Sequence, residues 1–309
     1  MWGFHRLMLV CALLIASPAV AQVPLSPTET IPDFCAAPTL SSRQAGGWFD
    51  ATTWDGARVP AAGDAVLVAH AVAYDSASDA ALACVRITGA LVMDGNAPTR
   101  LVVGTLVVAP GGLLEMGTAS APATAELVIA DQPLDLVADP NQVGTGLLVR
   151  SGGRFTAHGW SKVGFLGLAV EPLAGATTLA VAEAPVGWAE GDMLLVPDTR
   201  QLLPTERGAA YVSQTERRRL WSLSGGSLSL ATPLVYDHRG ARPPIAGAPP
   251  DFLPHVANLT RSVVIRSANP LGTRGHVIAF ERAEVDVRHV AFKDLGRTNV
   301  TPADKAVYN

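Results

Sequence analysis

Residues 85–116 read VRITGALVMDGNAPTRLVVGTLVVAPGGLLEM. Five apolar runs lie in this stretch: Val85–Ile87, Leu91–Met93, Leu101–Val103, Leu106–Val108 and Leu113–Met116. Gly, Pro, Asp or Asn separates nearly every pair, the pattern of short strands joined by tight turns. Such strands cannot each bury two faces alone, so they need stacked neighbours. A β-solenoid supplies them, each coil covering the apolar row of the one before. Glycine then takes the sharp corners, where positive φ strains other residues. A β-sandwich would use the same ingredients.

The same punctuation extends outward, through Val66–Val68 and Leu127–Ile129 to Leu147–Val149, Leu179–Val181, Met193–Val196, Leu228–Leu230, Val263–Ile265, Val277–Phe280 and Val285–Val290. No window sustains helical spacing over three turns without Gly or Pro. The charged stretch Thr205–Leu220 predicts a turn or two of helix at most. The chain is therefore expected to be all-β. Gly63-Asp64 and Gly191-Asp192 each precede an apolar run. In both, glycine is expected to make the turn and the carboxylate to cap free backbone N–H groups.

The first residues carry Arg6, an apolar run from Leu7 to Ala16, and Ala19-Val20-Ala21. This is a cleavable secretion signal, too short to span a bilayer. Residues 1–21 are thus read as a signal peptide cleaved near Ala21, leaving a secreted, periplasmic or cell-surface protein with no membrane span. Residues 22–43 form a Pro/Ser/Thr-rich extended leader. Cys11 leaves with the signal, so Cys35 and Cys84 are either the one intrachain bridge or two buried thiols. The net charge of -4 offers no basic face for nucleic acid, and Arg217-Arg218-Arg219 reads as a solvated loop beside a strand. The bias toward alanine and arginine fits a GC-rich bacterial source.

Trp48, Trp54-Asp55-Gly56, Val59-Pro60, Gly63-Asp64, Ile87-Thr88-Gly89-Ala90-Leu91, Pro110-Gly111-Gly112 and Glu115-Met116-Gly117-Thr118 resemble, in order and spacing, the G8 domain. Later segments extend the likeness: His158-Gly159, Asp237-His238-Arg239-Gly240, Asn258-Leu259-Thr260-Arg261, Arg274-Gly275-His276 and Phe292-Lys293-Asp294-Leu295-Gly296-Arg297. Together they resemble the N-terminal part of the cell-migration-inducing hyaluronan-binding protein family. The resemblance implies a G8-type β domain over 44–165. It further implies a region over 166–309 that begins a right-handed parallel β-helix and is cut short. It also implies business with an acidic extracellular polysaccharide, hyaluronan-like or a bacterial exopolysaccharide.

Glycan hydrolysis needs two carboxyl groups flanking the bond. Elimination on uronates needs a base plus a cation, which is where calcium would enter; no cofactor is otherwise evident. Asp237, His238, Arg274 and His276 form the candidate catalytic set. Arg239 and Arg297 are candidate carboxylate clamps, since guanidinium grips carboxylate in a fork, and His158, Trp48 and Trp54 are candidate substrate contacts. Asn258-Leu259-Thr260 and Asn299-Val300-Thr301 have the form of glycosylation acceptors. Three readings stay open: a polysaccharide binder or depolymerase (hydrolase or lyase), a non-catalytic solenoid for adhesion or assembly, and an inactive truncated product.

Overall fold

The computed structural model describes residues 32–93, 95–208 and 210–297. The signal, the start of the leader and the Asn299 acceptor lie outside the described residues. All twenty-one strands of the described residues belong to the unit that begins at Asp33.

Parallel strands stack into three faces. Face one holds 77–82, 99–103, Ala125–Ile129, Val263–Ser267 and Val290–Lys293. Face two holds Leu40–Ser41, Ala65–Val68, 84–87, 105–108, Gly146–Val149 and Val277–Ala279. Face three holds Gly46–Gly47, Ala71–Tyr74, Ala90–Met93, Leu113–Met116, Arg154–His158 and Glu284–Arg288. The chain visits one, two, three and returns one level on, which makes a parallel β-solenoid. Strands Ala77–Ile87 and Thr99–Val108 each run through faces one and two.

Alternation decides which side chains enter the coil. On face two, Val66, Val85, Leu106 and Leu147 stand in register and are fully buried. Val72, Leu91, Leu114 and Phe155 do the same on face three. Face one continues with Leu101, Leu127 and Ile265. Like stacked on like is how three-residue runs, each inadequate alone, build one continuous core. Phe292 and Val285 extend these columns on the last described rung, where they remain 49% and 46% exposed.

Two kinds of glycine close the corners. Gly111 takes a left-handed φ of 79° with nothing near its absent side chain. Beside it, a Cβ on Gly112 would sit 2.2 Å from the Ile87 carbonyl of the coil below. Cys35 and Cys84 are joined as a disulfide with a Cα separation of 6.0 Å, tying the leader to face two.

Between faces three and one the chain leaves the solenoid and returns about a hundred residues later. The strand runs there look like the others in sequence, yet they pair antiparallel. The order is Phe165–Gly167, His255–Asn258, Met193–Val196, Glu216–Ser224, Ser227–Leu230, Thr178–Ala180. A bridge between Leu168 and Val181 joins the two ends, with Ala169 and Ala182 amides donating to the Ala180 and Gly167 carbonyls at 2.8 and 2.9 Å. The result is a small closed barrel. Leu166, Leu179, Leu194, Val196, Leu220, Leu228 and Val256 fill it, and Trp188 packs against them. The helical content expected between Thr205 and Leu220 is the single 3-10 turn Pro204–Arg207, before strand Glu216–Ser224 begins.

Candidate functional site

A cleft of about 580 Å³ opens where the barrel meets face one of the solenoid. One wall is the outer side of the barrel, with Met193 and Arg217. The strap 258–261 forms its base, and Val290–Lys293 with Asp294 forms the other wall.

Each wall is held by its own local rules. Glu216 and Leu220 point into the barrel, so alternation throws Arg217 outward, opposite Leu195. The strap is pinned by buried polar groups. Asp192 accepts from Ala189 N at 2.9 Å, from Lys162 Nζ at 2.6 Å and from Asn258 Nδ2 at 2.7 Å. Asn258 Oδ1 in turn accepts the Thr260 amide at 2.9 Å, and Thr260 Oγ1 accepts the Met193 amide at 2.8 Å. Arg261 is fixed by donating to the Asn258 and Thr260 carbonyls at 2.9 and 2.7 Å.

The third cation, Lys293, stands directly opposite Arg266 on the outer side of face one. Like charges so placed are unfavourable. Arg266 is compensated by Glu126 at 2.5 Å, and Glu126 also takes Arg100 at 2.6 Å. Lys293 and Arg217 have no carboxylate partner among the described residues, whereas about half of the described arginines do, for example Arg58–Asp64, Arg154–Glu284 and Arg242–Glu171. Three cations thus line the cleft against one carboxylate, the exposed Asp294. Chemically, the arrangement offers an anion one fixed guanidinium, that of Arg261, and two cations without a carboxylate partner among the described residues.

None of the candidate catalytic or substrate-binding residues drawn from the sequence lines this cleft, although Arg217 and the family-like segments 258–261 and 292–294 do. Trp48 and Trp54 are 2% and 0% exposed, packed edge to face at 5.0 Å with Tyr74 alongside. Trp54 Nε1 donates to the Trp48 carbonyl at 2.8 Å. They plug the first coils and have no face open to a sugar. His238 is fully buried in the barrel: Nδ1 faces the Pro197 carbonyl at 2.8 Å and Nε2 faces Glu216 at 2.9 Å. Glu216 also accepts the Val235 and Tyr236 amides at 2.9 Å and pairs with Arg218. Burial raises its carboxyl, but these donors overcome that and hold it below the ordinary range. Asp237 receives the Ala174 amide at 2.9 Å and pairs with Arg239 at 3.0 Å on the surface.

Arg274 and His276 belong to the solenoid instead, and no hydrogen bond or ion pair among the described residues links them to Asp237 or His238. Arg274 donates to the Asp294 and Leu295 carbonyls at 2.7 Å. Arg297 is 4% exposed and clamps backbone carbonyls, reaching Gly144 at 2.6 Å and also Arg274. His276 donates from Nε2 to the Val143 carbonyl at 2.8 Å. Burial, helped by the Arg297 charge, lowers it to about 4. His158 is buried with Nε2 3.0 Å from Asp286, without hydrogen-bond alignment. The sequence-derived catalytic set therefore splits in two, and most of its members serve backbone and barrel. Among the described residues no group of three or more His, Cys, Asp or Glu side chains gathers as a metal site, and no helix is long and apolar enough to cross a membrane.

The segment that builds most of the early rungs also carries a family signature. Residues 53–166 match the G8 domain. These rungs share their sheets with the strands after residue 262, so the solenoid is continuous across the end of the match. No curated protein matches the sequence. Among solved structures, the Gp54 tailspike of Acinetobacter baumannii bacteriophage AP22, in complex with A. baumannii capsular saccharide, is similar at 11% identity and a TM-score of 0.27. The similarity covers 74% of this chain and 30% of the tailspike, so this chain spans less than a third of that protein's length.

Proposed function

We propose that this is an exported protein that binds an acidic extracellular polysaccharide in the cleft between barrel and solenoid. The observation that carries the reading is the convergence there of Arg217, Arg261 and Lys293 around one exposed carboxylate. Guanidinium groups match the planar carboxylate of a uronic acid. Lys293 supplies a mobile third charge, and the pinned strap spares the site much of the ordering cost of binding. The G8 match and the resemblance to hyaluronan-binding proteins agree with a polymer of this class, hyaluronan-like or a bacterial exopolysaccharide. Binding fits the cleft better than hydrolysis does, because its lining holds a single carboxylate where hydrolysis uses two.

Affinity electrophoresis in gels containing either a polyuronate or neutral dextran tests the class of ligand. The protein is expected to be retarded by the polyuronate and to run freely through dextran, with or without calcium. Equal retardation by both polymers, or by neither, contradicts the reading.

A further inference from the structure

The cleft does not end at Arg217. Across the outer side of the barrel, Phe165 stands opposite Ala257, Ala257 opposite Leu195, and Leu195 opposite Arg217. All four face outward, because their neighbours Leu166, Val256, Leu194 and Val196 fill the barrel. The row crosses three interstrand gaps, about 14 Å. Its far end is Phe165, 65% exposed, with its ring set edge-on to His255 at a centroid distance of 5.8 Å. Between the aromatic end and the cationic end lie only Ala257 and Leu195, which gives a low apolar floor.

An exposed Phe held by a neighbouring ring has a chemical use beside an anion site. The C–H faces of a pyranose are apolar and pack on aromatic rings, while its carboxylate needs a cation. We infer that the row from Phe165 to Arg217 is an extension of the cleft, along which a single acidic polysaccharide chain lies across the strands. One uronate would sit among Arg217, Arg261 and Lys293, and a ring further along would stack on Phe165. This rests on the reading of the cleft as a polyuronate site, with which the row shares Arg217. The consequence is a dependence on oligosaccharide length that a cleft acting alone would lack.

Fluorescence anisotropy with labelled uronate disaccharide and octasaccharide tests it. The unmodified protein is expected to bind the octasaccharide more tightly. Phe165→Ala should weaken the octasaccharide about tenfold and leave the disaccharide unchanged. Phe252→Ala, which removes a 74% exposed ring off the row, should change neither. Arg217→Ala should weaken both ligands. If Phe165→Ala leaves octasaccharide affinity intact while Arg217→Ala weakens both, the extension is wrong and the cleft stands. Unmodified protein that binds neither ligand overturns both.

Discussion

His276 shows how a residue that looks chemical can be structural. Its ring is buried, donates to the Val143 carbonyl and lies close to the Arg297 charge. The folded state therefore favours the neutral ring, whose pKa is lowered to about 4 from the ordinary 6.5. A histidine depressed in this way stabilises the fold fully above about pH 6.5, and that contribution is lost as pH falls from 6.5 toward 4. Its size is up to roughly 3 kcal/mol. Urea unfolding at pH 7 and pH 4.5 should show this loss, and His276→Gln should flatten it. An unchanged pH dependence in the variant would remove His276 as its source. The two Gly-Asp pairs were legible from sequence because a turn and a cap are local chemistry. Gly63 and Gly191 do take φ of 83° and 88°, and Asp64 and Asp192 accept the Ala61 and Ala189 amides. The roles of His276 and Arg297 were not legible, since their partners in 142–145 lie more than a hundred residues away.

At the scale of the element, the solenoid corner separates two uses of glycine that sequence cannot tell apart. Gly111→Ala meets only the left-handed backbone penalty, about 1 kcal/mol. Gly112→Ala drives a methyl into the backbone of the coil below and should cost about 3 kcal/mol. Thermal unfolding of the two variants should rank them in that order; the reverse order would mean that the coils are not stacked this closely. Short apolar runs correctly predicted strands, since alternation is all that a half-buried strand requires. They could not predict pairing. Leu194 and Val196 alternate as Val66 and Val68 do, yet one set lines an antiparallel barrel and the other a parallel coil. Direction is decided by where the chain returns, which no local run encodes. The Arg217-Arg218-Arg219 cluster has the same history. Read as a loop it is only solvated charge, but as a strand after Glu216 it splits, with Arg218 turned to Glu216 and Arg217 turned to the cleft. The alternation Glu-Arg-Arg-Arg-Leu was the available signal.

At the scale of the whole molecule, a barrel inserted at one corner of a solenoid creates a wall that neither part has alone. Face one supplies Lys293, the barrel supplies Arg217, and the strap that rejoins them supplies Arg261. Segments 258–261 and 292–297 were visible as separate motifs, but nothing local to either shows that they meet each other and Arg217. The all-β fold and its G8 segment were legible in the sequence, whereas most of the candidate site residues, Trp48, Trp54, His158, His238, His276 and Arg297 among them, are buried. Binding in the cleft depends on charge at one place and is sensitive to salt and to two side chains. Binding of a soluble polyuronate by isothermal titration calorimetry, at low and at physiological ionic strength, addresses this most directly. The unmodified protein should bind, and more weakly as salt screens exposed charges. The double variant Arg217→Ala/Lys293→Ala should lose at least about tenfold in affinity, as expected for removing two charge-assisted contacts. The control Arg86→Ala/Arg154→Ala, which removes two partly exposed arginines outside the cleft, should retain it. Equal affinity in the cleft variant and the unmodified protein would contradict the account.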